Sequence, residues 1–218
     1  MSAPMGLMDH PTLGRVRYSI TEVPEDPDGQ VAATINLMRG YANQDAGSSL
    51  IKADVWKAYH SPDPLQDTWD YLSRSSGRMS FVADEQTAKP LGSWRPVVET
   101  LIRPVDQVVL SQPQGDCDDF SMYGAAHLLA RGVKCSFVTV AADETEPTIY
   151  SHVYLAAYPP DGRRVAMDLS HGPALGWEVA NRFHKRKEWP LDGSDLLVWA
   201  VLIAGGSWLA YQTFKGVN

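Results

Sequence analysis

Cysteine is scarce in this chain: 218 residues carry two, Cys117 and Cys135. Two cysteines make no disulfide framework at this length. The metal-binding spacings CxxC and HxxxH are also missing, so no metal site and no cofactor are expected. The acidic cluster at 116–119 lacks the spacing of a calcium loop. Basic charge is in short supply too, with 19 Lys+Arg against 26 Asp+Glu for a net charge of −7. The pI is about 5.3. Such a balance lacks the basic stripe of a nucleic-acid binder, so nucleic acid is not expected as a partner. Residues 1–15 lack the continuous apolar stretch of a signal peptide, which points to a cytoplasmic protein. A reducing compartment suits a cysteine that has to stay out of disulfides. No internal repeat is visible.

Apolar residues make up 44% and charged residues 21% of the chain, ordinary globular usage that suffices for one sizeable core. Residues 1–30 are rich in Pro, Gly and acidic side chains and read as an extended N-terminal arm. The catalytic candidate spans 31–190, and 191–218 form an apolar C-terminal segment. Helical periodicity runs over 31–59 with a joint at Gly47-Ser48-Ser49, and resumes from Leu65 to Ser73. Residues 79–82 read as a short strand, 84–95 as a polar loop, and 104–115 as a loop rich in Gln and Pro. The small-residue run 121–130 predicts a central helix closed by Gly132. Three β-rich runs follow, at 134–141, 150–158 and 164–169, the last after the turn Pro159-Pro160-Asp161-Gly162. A helical N-terminal half, a central helix and an antiparallel sheet make the fold class α+β.

Cys117 lies between the Pro113-Gln114-Gly115 loop and the central helix. The thiolate is the reactive form of cysteine, and an ordinary thiol titrates near about 8.5. A helix N-terminus lowers that value through its partial positive charge, and a histidine lowers it by holding the proton. Of the six histidines, His152 at the start of the 150–158 strand is best placed to act as that base. Asp168, at the end of the next strand, would orient it across a hairpin. His171 competes for the base role. Gly115 lets a substrate backbone approach closely, and Gln112 or Gln114 is a candidate oxyanion donor. Cys135, on an apolar strand, and His127, inside the central helix, read as packing residues. The three carboxylates around Cys117 (Asp116, Asp118, Asp119) would oppose a thiolate unless they bond to backbone N–H groups or basic partners.

The order Gly-Asp-Cys-Asp-Asp-Phe-Ser (115–121), small-residue helix, Ser-His-Val-Tyr (151–154) and Met-Asp-Leu (167–169) resembles the transglutaminase-like cysteine peptidase superfamily, especially its bacterial and phage members. The resemblance covers about residues 65–180. It implies a papain-like core whose catalytic cysteine, histidine and aspartate fall on Cys117, His152 and Asp168. It also implies acyl transfer on peptide or glutamine amides through a thioester, with a protein or peptide as substrate; peptidase activity is favoured over cross-linking because a deacylation site that excludes water demands more structure. The family's Asp-Pro-Thr is Asp168-Leu169-Ser170 here, and the tryptophan that usually precedes the aspartate is absent. The alternative is a weakly active structural or assembly component, for example of a phage virion. Residues 196–214 carry no charge and would span about 28 Å as a helix, close to the ~30 Å hydrocarbon layer. They read either as a membrane anchor, with the basic cluster 184–187 keeping the enzyme cytoplasmic, or as a contact in a homo-oligomeric or virion assembly.

Overall fold

A computed structural model describes residues 5–10, 14–19, 26–83 and 100–191. The polar loop at 84–95 and the uncharged segment 196–214 lie outside the described residues. Among the described residues no helix is long and apolar enough to cross a membrane. Within the N-terminal arm, β1 (Met5–His10) and β2 (Gly14–Ser19) pair as an antiparallel hairpin. The arm then gives way to helix at Pro27, four residues before the apolar periodicity begins, because Asp26 caps the Gly29 N–H and proline is tolerated in the first turn.

Three helices follow in short order: α1 (Pro27–Ala46), α2 (Ser49–Ala58) and α3 (Pro64–Leu72). Ser48 caps α2 through the Ile51 N–H, as the Gly-Ser-Ser joint predicts. Asp63 and Pro64 start α3 in the same way. The two-residue strand β3 (Ser80–Phe81) pairs in parallel with β4 (Gln114–Gly115). Residues 104–109 are not loop, as the sequence suggested, but the short helix α4 (Pro104–Val109). Its only sequence mark is a proline at the first helical position.

The central helix is α5 (Cys117–Ala130), whose buried face includes Phe120, Met122, Tyr123, Ala125, Ala126 and Leu128. It ends in a Schellman closure, with the Gly132 N–H on the Leu129 carbonyl and the Val133 N–H on the Leu128 carbonyl, both at 2.9 Å. Gly124 is what lets α5 lie against the sheet. A Cβ there would stand 2.3 Å from Leu169 and 2.9 Å from Leu155. The sheet has the order β7-β6-β5-β8, with β5 (Lys134–Val140), β6 (His152–Tyr158), β7 (Val165–Met167) and β8 (Arg186–Pro190), all antiparallel. Phe137, Val153, Leu155 and Met167 face α5 in the main core, while Val138, Val140, Tyr154 and Ala166 form a second cluster on the other face. The fold is α+β.

Strand β8 was not foreseen. The basic cluster 184–187 carries no strand signal, yet Arg186–Pro190 forms an edge strand against β5. Edge strands carry such charges because they discourage pairing with other chains. Lys187 lies over the Trp189 ring at 3.6 Å, and the Trp189 indole donates to Thr139 Oγ1 at 3.0 Å.

Candidate active site

Cys117 occupies the first position of α5. Asp116 precedes it as the N-cap, accepting the Asp118 N–H at 3.0 Å while its carbonyl accepts the Phe120 N–H. Asp119 turns inward, is 1% exposed, and accepts the Ile102 N–H at 2.7 Å. Two of the three neighbouring carboxylates thus hold backbone N–H groups, one at the helix start and one on the facing segment. The third, Asp118, stands beside the thiol: Cys117 Sγ donates to its Oδ1 at 3.8 Å. A carboxylate at that distance opposes a thiolate. Asp118→Asn is therefore expected to raise the rate of Cys117 alkylation by iodoacetamide at pH 7 about two- to fivefold, the size of a partly solvated charge contact. A rate equal to or below that of the unaltered chain would show that Asp118 does not restrain the thiol.

Gly115 is required by close approach. A Cβ there would fall 2.0 Å from the Asp119 carboxylate, so any larger residue would displace the side chain that anchors residue 102. The preceding residue is held by Gln107, fully buried on α4. Its Nε2 donates to the Gln114 carbonyl at 2.7 Å and its Oε1 accepts the Gln114 N–H at 3.1 Å. Gln112 bonds away from the helix start, to the Arg78 carbonyl at 3.3 Å and Ser80 Oγ at 3.2 Å.

His152 is the first residue of β6 and Asp168 follows the last residue of β7. The register pairs Leu155 with Met167, which sets Asp168 level with Tyr154 and diagonal to His152 at one end of the sheet. His152 Nε2 meets Asp168 Oδ2 at 2.7 Å, with side chains 8% and 0% exposed. The other carboxylate oxygen, Oδ1, accepts Ser170 Oγ at 3.1 Å and the His171 N–H at 3.0 Å. Burial alone would raise the Asp168 pKa. The bonds from His152, His171 and Ser170 outweigh it and hold the carboxyl below its ordinary value. Asp168 thus carries its charge at neutral pH, and its grip on Nε2 leaves Nδ1 as the ring nitrogen for a thiol proton.

Two contacts join the helix start to this pair. Ser121, one turn below Cys117, donates from Oγ to the Val153 carbonyl at 3.3 Å, beside His152. Phe81 bridges the other side: its ring lies 6.5 Å from Phe120 on α5 and 5.1 Å, edge-on, from His171. His171 in turn meets the His152 ring edge-on at 4.9 Å. Burial, followed by the nearby His152, pushes the His171 pKa below its ordinary value. The ligand atoms of His152, Asp168 and His171 lie within 4.8 Å of one another, as do those of Asp116, Cys117 and Asp118. In the first group, both Asp168 oxygens are already engaged by hydrogen-bond donors. Cys135 is buried in the core, and desolvation pushes its thiol up to about 12. His127 is buried as well, on the side of α5 that faces α2 and α3.

The sequence reading identified His152 and Asp168 but not their supports, Ser170 and the His171 N–H, nor Gln107 and Phe81. Ser170 was visible only as a departure from a family pattern. Phe81 becomes meaningful only through contacts between segments distant in the chain.

No protein-family model matches the chain, and no curated protein matches it. Among solved structures, the chain is similar to one described as "Crystal structure of Rad4-Rad23 bound to a 6-4 photoproduct UV lesion", at 13% identity and a TM-score of 0.38. That match covers 70% of this chain and 40% of the other, so the chain spans less than half of that neighbour's length.

Proposed function

We propose that this chain is a cysteine-dependent acyl-transfer enzyme on a transglutaminase-like, papain-like core, acting on peptide or glutamine amides. The observation that carries the reading is the desolvated His152–Asp168 hydrogen bond at 2.7 Å, on a strand that is bonded through Val153 to Ser121 of the helix that begins with cysteine. Cys117 Sγ attacks the amide carbonyl while His152 Nδ1 takes the thiol proton. The tetrahedral intermediate then expels the amine, which leaves with the proton from His152. Asp168 stays ionised throughout, fixes the ring and stabilises the imidazolium. The resulting thioester is attacked by water, whose proton passes to His152, and the acid and thiol are released. Hydrolysis is favoured over transfer to an amine because excluding water from a thioester demands a closed site.

A scaffold role with little activity is the second reading. The observation that favours it is the Asp118 carboxylate beside the Cys117 thiol. The two readings separate on one experiment. Intact-mass analysis after incubation with p-nitrophenyl acetate is expected to show a single acetyl group on Cys117, released by hydroxylamine and absent from Cys117→Ser. Acetylation that is absent, or is spread over lysines without a thioester at Cys117, would sink the enzyme reading.

A further inference from the structure

Beyond His152 the rings continue outward to a cation. Phe81 meets His171 edge-on at 5.1 Å, and the Arg74 guanidinium carbon sits 5.1 Å from the centroid of the Phe81 ring. Arg74 follows α3 and is anchored by its own N–H, which donates to the Leu169 carbonyl at 2.7 Å, one residue past Asp168. Its side chain is exposed, and among the described residues no carboxylate pairs with it. Arg78, four residues on, is differently employed, bound to Asp54. Arg74 is thus a cation held on an aromatic face two rings out from the candidate base, in a chain whose net charge is −7.

Resting on the proposed acyl-transfer reading, we infer that Arg74, Phe81 and His171 form a subsite for a carboxylate on the amine side of the scissile bond. The substrate class is then a peptide with an acidic residue immediately after the cleaved amide. The side follows from the chemistry, because His152 gives its proton to the leaving amine, so the groups just beyond His152 receive what that amine carries. Recognition follows from the guanidinium, whose planar fork of donors matches a carboxylate. Stacking on Phe81 restricts the fork before substrate arrives, which reduces the ordering cost of binding.

The test uses two matched alkylating probes, iodoacetyl-glutamate amide and iodoacetyl-glutamine amide. In each, the Cys117 sulfur displaces iodide, a C–S bond forms, and the thiol proton goes to His152 or water. The probes differ only in the charge of the side chain on the amine side. At low salt the intact chain is expected to react with the glutamate probe roughly two- to fivefold faster than with the glutamine probe, the range of an exposed ion pair. That ratio should fall to one or below in Arg74→Gln, recover in part in Arg74→Lys, and shrink with added salt. An equal or reversed preference in the intact chain, or a preference that survives Arg74→Gln, overturns the subsite. If neither probe labels Cys117 faster than an ordinary thiol, and His152→Ala changes nothing, the acyl-transfer reading itself fails and the subsite falls with it.

Discussion

Replacing Asp54 by alanine is expected to destabilise the fold by about 3–5 kcal/mol, the cost of stranding buried partners of a removed charge. Asp54 comes from α2, is 0% exposed, and gathers donors from three other segments. Tyr71 on α3 donates its hydroxyl at 2.9 Å, Arg78 its Nη2 at 3.0 Å, and Tyr123 on α5 its hydroxyl, while His127 Nε2 lies at 3.1 Å. Burial opposes the Asp54 charge, yet the bonds from His127, Tyr123 and Tyr71 outweigh it and hold the carboxyl far below its ordinary value. A domain of this size is stable by only about 5–15 kcal/mol, so the loss would show as a large drop in the urea midpoint. A midpoint shift equivalent to less than ~1 kcal/mol would mean that the hub is not what joins α2 and α3 to the central helix.

The same hub sets a pH dependence. Burial pushes the His127 pKa down, so the folded chain keeps this ring neutral where an unfolded chain would protonate it. The unfolded state then takes up a proton first as pH falls below about 6.5, and stability declines from that point downward. Asp54 acts lower. Its folded value is depressed, so its contribution is complete above about 3.9 and is lost only as pH falls through the folded value.

Asp168→Asn is expected to slow acylation of Cys117 by about 10²–10⁴-fold with little loss of stability. The asparagine side chain keeps the size of the aspartate, but as an amide it can present its NH₂ to Nε2. That favours the tautomer carrying a proton on Nδ1, the nitrogen that has to accept one. The charge that stabilises the imidazolium is lost as well. Because the folded Asp168 pKa is depressed, its contribution is constant above about 3.9 and falls away only in stronger acid. Asp168 itself therefore contributes no change in rate between pH 5 and 8. The check is the acetylation rate of the variant across that window, and a rate within a few-fold of the unaltered chain would remove Asp168 from the mechanism.

The elements with strong local marks were legible in the sequence. Ser48 announces α2 and Gly132 the end of α5, because caps act within one turn of the chain, and the apolar period from Leu65 announces α3. The strands β5, β6 and β7 followed from β-branched runs and the Pro-Pro-Asp-Gly turn. Helix α4 and strand β8 were missed because their existence depends on tertiary partners. Gln107 is buried against Gln114, and Arg186–Pro190 finds a ladder on β5 despite its charge. The roles of Asp116 and Asp119 were open too, and only the second depends on a distant partner. One caps its own helix, but the other bonds Ile102, seventeen residues away. His152 and Asp168 were readable from their strand positions, whereas Arg74, Phe81 and His171 converge only through the folded chain.

The most direct measurement is the pH profile of Cys117 alkylation by iodoacetamide, with the modified cysteine mapped by peptide mass. If His152 holds the thiol proton, Cys117 stays reactive at pH 6, where an ordinary thiol near 8.5 is only about 0.3% ionised. In His152→Ala the rate at pH 6 should fall by roughly 10- to 100-fold and return only as pH rises past 8, while buried Cys135 stays unlabelled in both. A Cys117 profile that follows an ordinary thiol, unaltered by His152→Ala, would contradict the assignment of Cys117 as an activated nucleophile.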